Sequence, residues 1–315
     1  MGNHLVKIAV LLAAYEGEKF LPPLLDSLSA QTWSDFHVLY QDDGSADRTA
    51  EILREAAARD ARFRAGEAQG QHLGAVGNFL SLLRQTDADV VFLCDQDDVW
   101  ERDKLARLCA AMREEEARFG RETPLLIHSD CSLIDSEGRS IGPSFFRLQG
   151  WDPKAVTLAP LLVQNNATGC TMALNRALAD LVRTHGRAET MFMHDWFIAL
   201  TAAAFGHIRF VDQPLVRYRQ HGGNTIGASR ESLPRRAAAA LHHRREARER
   251  IALTYRHTRA FQQAYGALLP PPAGKLVADY LATESLPKLR RIRAVRSLGC
   301  VMQSPVTRLG QLLFG

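Results

Sequence analysis

The chain of 315 residues offers little of what several protein classes require. Its N-terminal apolar segment, residues 8–14, stops far short of the roughly 20 residues that a membrane-spanning helix needs, and neither a basic flank nor a small-residue cleavage site accompanies it. The expectation is therefore no signal peptide and no transmembrane helix. The five cysteines, Cys94, Cys109, Cys131, Cys170 and Cys300, are odd in number and lack metal-type spacing, which argues against a disulfide framework or a zinc site and for a reducing cytoplasm. Glycines cluster at residues 66–77 without the spacing of a dinucleotide-binding or P-loop turn. No Ser-His-Asp or Cys-His arrangement and no internal repeat stands out.

Charge is unevenly placed. Residues 234–315 hold 15 Lys and Arg against 4 Asp and Glu, a balance of +11, so the remainder of a chain whose net charge is +4 carries −7. An acidic body with a basic tail points to an anionic surface as the tail's partner. Aromatic residues do not alternate with the tail's arginines, so a nucleic acid is not that partner. Packing of the tail on the rest of the molecule, or against a second copy, is an equally open reading.

What the chain does contain is a series of apolar runs that end in acids. Val90-Val91-Phe92-Leu93-Cys94 reads as a buried parallel strand and breaks into Asp95-Gln96-Asp97-Asp98. Three adjacent carboxylates repel one another unless a cation neutralises them, and Mg²⁺ or Mn²⁺ takes such oxygen ligands. A solvated turn capping the helix expected near Asp103 is the plainer alternative. A first strand over residues 7–13 delivers Ala14-Tyr15-Glu16-Gly17-Glu18, and a second over 37–41 delivers Asp42-Asp43-Gly44-Ser45. Right-handed crossovers would bring these strand ends to one edge of a sheet, where α/β proteins bind ligands.

Further along, residues 135–150 read as an exposed, mobile loop containing Phe145 and Phe146, and Asn165 to Asn175 as a polar loop entering a strand. Asp195 opens an apolar helix after His194. It either complements the helix dipole or, held against Trp196 and Phe197, has the raised pKa that suits a general base. Strands over 208–211 and 215–218 lead to Arg219-Gln220-His221-Gly222-Gly223-Asn224-Thr225. There His221 lies among glycines, beside donors able to meet phosphate, although an incidental histidine fits as well. Two basic helices are expected over 235–265 and 274–296, broken by Pro270-Pro271-Pro272.

Taken together and in this order, the blocks at residues 15–18, 42–45, 95–100, 194–196 and 218–224 resemble family 2 glycosyltransferases, most closely the rhamnosyltransferase-type members that build bacterial surface polysaccharides. The resemblance spans residues 6–225. It implies an α/β GT-A fold, Rossmann-like with a mostly parallel central sheet and flanking helices, over 1–233, with 234–315 as a basic helical extension. It further implies inverting transfer of a sugar, rhamnose in the rhamnosyltransferase-type members, from a TDP- or UDP-linked donor to a saccharide or lipid-linked acceptor, with Mn²⁺ or Mg²⁺ as cofactor. Carried onto this sequence, Ala14, Tyr15, Glu16 and Asp43 line the nucleotide pocket with Asp43 on the base. Asp95 and Gln96 belong to the donor site, Asp97 is the direct metal ligand assisted by Asp95, His221 is a further metal or diphosphate contact, and Asp195 is the general base. The processive members' Gln-X-X-Arg-Trp element is missing, so transfer of one or a few sugars is expected. A metal-dependent phosphohydrolase and a non-catalytic nucleotide-sugar-binding scaffold are the competing readings. A cytoplasmic protein, peripheral at the inner face of the membrane through its tail, is the expected setting.

Overall fold

The computed structural model describes residues 6–221 and 244–314. Gly222, Gly223, Asn224 and Thr225 of the last block, and the start of the helix expected from residue 235, lie outside the described residues.

Strand β1 (Ile8–Ala14) is flanked in parallel by β2 (His37–Asp42) and β4 (Val90–Asp95), and β3 (Phe63–Ala65) extends the same parallel half beyond β2. Because the side chains of a strand alternate between faces, Ala9 and Leu11 of β1 enter one core while Ile8, Val10 and Leu12 enter the other. Both faces of β1 are therefore buried, which is why its sequence is apolar throughout rather than alternating.

Beyond β4 the sheet becomes mixed. Strand β8 (Met172–Asn175) runs antiparallel between β4 and β6 (Leu125–Ile134), and β9 (His207–Arg219) lies parallel to β6. The short β5 (Val99–Trp100) pairs with β9, and β7 (Ser140–Gly142) with β6. The order is β3-β2-β1-β4-β8-β6-β9-β5, a nine-stranded sheet among the described residues. The parallel strands expected from sequence thus form one half of it.

Helices cover both faces. On one side lie α1 (Leu21–Ser29), whose Pro22 and Pro23 occupy its first turn, α2 (Thr49–Arg59) and α4 (Lys104–Phe119). On the other lie α3 (Gly74–Arg84), α7 (Arg176–His185) and α8 (His194–Phe205). Helix α8 is buried nearly all round, since α9 (Arg244–Tyr265) covers the side that the sheet leaves open. Tyr265 of α9 stacks on Phe197, Phe261 meets the same ring edge-on, and His257 lies against Trp196 with ring centroids 4.5 Å apart. The chain continues through α10 (Pro271–Ala282), α11 (Lys288–Ser297) and α12 (Pro305–Phe314). Tyr280, Val295 and Met302 join the core that holds α8, so the described part of the tail packs on the body. No helix among the described residues is long and apolar enough to cross a membrane.

Three expectations need correction. Residues 135–150 are not an open loop: Phe145 and Phe146 begin the short helix α5 (Phe145–Gln149), capped by Ser144, and both rings are buried in contact with Trp151, Tyr218 and Phe210. The two strands expected over 208–218 are one, because β9 absorbs Asp212–Pro214 in an irregular register opposite Ser129 and Asp130. The last basic helix is two, since Pro287 cannot donate a helical hydrogen bond and separates α10 from α11.

Candidate active site

The register places the acids. Ala14 pairs with Asp42 and Ala13 with Asp95, so the acidic ends of β2 and β4 flank the end of β1 on one sheet edge. The loop after β1 is held there by side chains from both neighbours. Gln96 accepts from the amide of Tyr15 and donates to its carbonyl, both at 2.5 Å, as an added strand would. Gly17 makes room for this, since a Cβ on it would stand 2.5 Å from Gln96 Oε1. Glu16 takes a left-handed conformation with φ of 52°, accepts from the amide of Ala46 at 2.7 Å, and donates its own amide to Ser45. The Tyr15 ring is left half exposed, edge-on to His72.

Asp43 is buried, and its two oxygens accept the amides of Leu73 and Gly74 at 2.6 and 2.8 Å. It therefore caps α3 and fixes the turn that carries His72 beside the Tyr15 loop. A carboxylate has about four acceptor directions, so capacity for another donor remains.

Around the end of β4 the acids separate into an open and a closed side. Asp97 points to the open side, where its Oδ2 meets Nε2 of His221 at 2.7 Å, and the imidazole stacks on Phe20. Asp98 points inward, wholly buried, accepting the amide of Arg219 at 3.0 Å through Oδ1. Burial, then the charges of Asp97 and Asp95, pushes the Asp98 pKa well up. Burial, then Asp97 and Asp195, raises Asp95 to about 7. Beneath them Lys104 is fully buried, donating to the carbonyl of Cys170 at 2.6 Å with its ammonium over the Trp100 ring. Burial lowers its pKa to about 8.

This donor set fits a divalent cation. Asp95, Asp98 and Cys170 offer ligand atoms within 4.8 Å of one another. Cys170 is a poor member, because burial raises its thiol pKa well above the ordinary value and a protonated thiol does not bind a hard ion. Asp97 and His221 lie outside that group; they meet each other at 2.7 Å and offer oxygen and nitrogen donors on the open side.

Asp195 lies in the first turn of α8. Its Oδ2 accepts the amide of Gly169 at 3.2 Å, its Oδ1 accepts the amide of Trp196 at 2.7 Å, and Asn165 also hydrogen-bonds to it. Burial nevertheless raises its pKa to about 6, so desolvation outweighs these bonds. Gly169 packs closely against this helix start: a Cβ there would sit 3.1 Å from His194 Nε2 and 3.4 Å from Asp195 Cβ. The structure thus places Ala14, Tyr15, Glu16, Asp43, Asp95, Gln96, Asp97, Asp195 and His221 around one sheet edge.

Two charged residues matter beyond those picked from the sequence. Arg219, suggested by its neighbours as a phosphate donor, instead directs Nε to the carbonyl of Asp97 at 2.7 Å and Nη1 to the carbonyls of Asp135 and Ser136. Lys104 looks in the sequence like an ordinary first-turn helix residue. Only its burial under the acids distinguishes it.

Residues 9–119 match the model of glycosyl transferase family 2. An uncharacterized glycosyltransferase of Nostoc sp. is 27% identical over 230 residues, covering 70% of this chain and 66% of that protein. The dTDP-rhamnosyl transferase RfbG of Shigella flexneri is 23% identical over 228 residues, covering 69% and 74%. Putative glycosyltransferase EpsH of Bacillus subtilis is 26% identical over 219 residues, covering 68% and 61%, so the chain spans about two thirds of the length of these relatives. Among solved structures, S. aureus TarS 1-349 in complex with UDP-GlcNAc superposes with a TM-score of 0.55 at 16% identity, covering 97% of this chain and 88% of that one. Mannosyltransferase PcManGT from Pyrobaculum calidifontis, in complex with GDP-Man and Mn²⁺, gives 0.50 at 14% identity, covering 99% and 88%. Residues 9–119 thus resemble glycosyl transferase family 2, and the chain carries them on a GT-A-like α/β fold.

Proposed function

We propose that the protein is a divalent-metal-dependent, inverting glycosyltransferase that moves one sugar from a nucleoside-diphosphate sugar to a hydroxyl of a saccharide or lipid-linked acceptor in bacterial surface-polysaccharide synthesis. The observation that carries this reading is the division of labour among the acids. Asp97, just past the end of β4, meets His221, whereas Asp195 comes from a separate helix and is tuned to about 6.

Tyr15, held by Gln96, and the turn fixed by Asp43 form the walls of the nucleotide pocket. Asp95, Asp97 and His221 hold the metal, which when bound supplies Lewis-acid stabilisation to the departing diphosphate. Asp195 faces the acceptor. As the acceptor oxygen bonds to the anomeric carbon, the bond from that carbon to the diphosphate oxygen breaks and the hydroxyl proton passes to the Asp195 carboxylate. A single displacement needs no protein nucleophile, and it inverts the anomeric centre.

The name of RfbG, a dTDP-rhamnosyl transferase, favours dTDP-rhamnose as the first donor to try. The test is a panel of dTDP-rhamnose, UDP-GlcNAc and GDP-mannose, each with Mn²⁺ or Mg²⁺ and saccharide acceptors, with the product's anomeric configuration read by NMR. Inverted product in the presence of metal is expected. A retained anomer would overturn the mechanism. Metal-dependent release of free sugar phosphate or nucleotide at the same rate with and without acceptor would favour a phosphohydrolase.

A further inference from the structure

Beyond Glu284 the chain carries six Lys and Arg residues and no Asp or Glu. Elsewhere on the surface arginines commonly find carboxylates, as in Arg48 with Glu51, Arg107 with Asp103 and Arg209 with Glu114. Arg290, Arg293 and Arg296 of α11 make no ion pair among the described residues, and all three are exposed. Leu289 is 76% exposed and lies four residues before Arg293 and seven before Arg296, so the three share one helix face while Val295 turns inward. Next to it, Leu309 and Leu313 of α12 are four residues apart and 50% and 40% exposed. Lys288 ties the two helices by donating to the carbonyl of Leu313 at 2.6 Å, which brings Leu289 to the same junction.

Protruding leucines among cations without counter-charge suit one solvent boundary well, the headgroup region of a bilayer, where leucine enters the acyl edge and guanidinium meets phosphate. We propose that the outward face of α11 and α12 docks on an anionic lipid bilayer. A second protein copy would repel itself there, since an isologous contact would set like charges against one another.

The position of this face gives docking a purpose. The amide of Gln303, between α11 and α12, donates to Gln164 at 3.0 Å, and Gln303 Oε1 accepts the amide of Asp152 at 2.7 Å. Gln164 precedes Asn165, which hydrogen-bonds to Asp195. The segment between α11 and α12 therefore adjoins the loop beside the candidate base, and a bilayer held against these helices would bring a membrane-anchored acceptor near that side of the site. The acceptor's role rests on the function proposed above; the docking itself does not.

The full chain is tested by flotation with vesicles of phosphatidylcholine alone or of phosphatidylcholine with phosphatidylglycerol. Attachment to the anionic vesicles only, released by salt, is expected. Each cation near an anionic surface contributes roughly fivefold to partitioning, so Arg290→Gln, Arg293→Gln and Arg296→Gln together should weaken it on the order of 10²-fold, and Leu289→Ser should weaken it independently. The same variants should keep the parent's melting temperature and its transfer to a water-soluble acceptor. Equal recovery on both vesicle types, or undiminished attachment of the triple variant, overturns the proposal. So does a dimer, seen by analytical ultracentrifugation, that Leu289→Ser dissolves. Flotation that succeeds in a protein unable to transfer sugar would sink the enzymatic reading and leave the docking surface standing. The reverse pattern would remove only the docking.

Discussion

Arg219 and Asp97 are joined through the main chain: the arginine's Nε donates to the Asp97 carbonyl at 2.7 Å, while the Asp97 carboxylate meets His221, two residues beyond the arginine. One strand end thus grips the acidic turn twice, once by a buried guanidinium and once by an imidazole. Arg219 also holds the carbonyls of Asp135 and Ser136, so it fixes the β4–β5 and β6–β7 turns against each other.

Replacing it with lysine should fail. Lysine carries a point charge and cannot reach three carbonyls in a planar fork, so acceptors are left unsatisfied. Arg219→Lys is expected to lose about 2–3 kcal/mol of stability in urea unfolding and to weaken Mn²⁺ binding in titration calorimetry. Parent-like Mn²⁺ affinity in a folded variant would show that the grip does not position Asp97.

Asp97→Asn tests the metal assignment separately. The amide preserves size and the pairing with His221 but removes the charge, so metal-dependent turnover should vanish while the melting temperature without metal stays near that of the parent. Full activity in excess chelator would end the assignment.

The raised pKa of Asp195 makes two linked predictions. A base must be ionised, so transfer should climb with pH through about 6 and level off above it, provided acceptor attack limits the rate. Stability should run the other way. Because the folded state favours the protonated form, the folded protein binds more protons than the unfolded chain between roughly 4 and 6, and the group's contribution is lost as pH rises through that window. Asp195→Asn should therefore lose transfer on the order of 10²-fold yet gain about 1–2 kcal/mol of stability at pH 8, after about 1 kcal/mol for a weakened hydrogen bond. The gain should shrink at pH 4.5. Loss of donor affinity in proportion to rate would place Asp195 in the donor site.

Gly17→Ala probes the nucleotide wall. The new methyl would stand where Gln96 Oε1 lies, so the Gln96 amide must leave Tyr15. Steady-state kinetics should show a donor KM raised roughly tenfold with a smaller change in kcat, the mark of lost binding rather than lost chemistry. An unchanged KM would remove Tyr15 from the pocket.

Much of this site was legible because its signals are local. Apolar runs ending in Asp42-Asp43 and Asp95-Gln96-Asp97 name their strands and their edge at once, and parallel crossovers then align them. Asp195 stood out through the apolar helix behind it. Phe145 and Phe146 misled because glycines and Pro143 surround them, and only the contact with Phe210 and Tyr218, remote in sequence, reveals a core. Lys104 and the fork of Arg219 were opaque for the same reason. A charge reads as surface until the fold shows what lies over it.

The packing of Phe261 and Tyr265 against Phe197, with His257 on Trp196, has a practical consequence for anyone recombining such proteins. The helix that bears Asp195 has one wall made of sheet and the other of tail. A chimera that grafts foreign C-terminal helices onto residues 1–243 must reproduce the shapes that meet Trp196 and Phe197, or it will loosen the carboxylate whose chemistry it set out to keep. The tail and the helix that bears Asp195 are thus one packing unit, to be exchanged together or not at all.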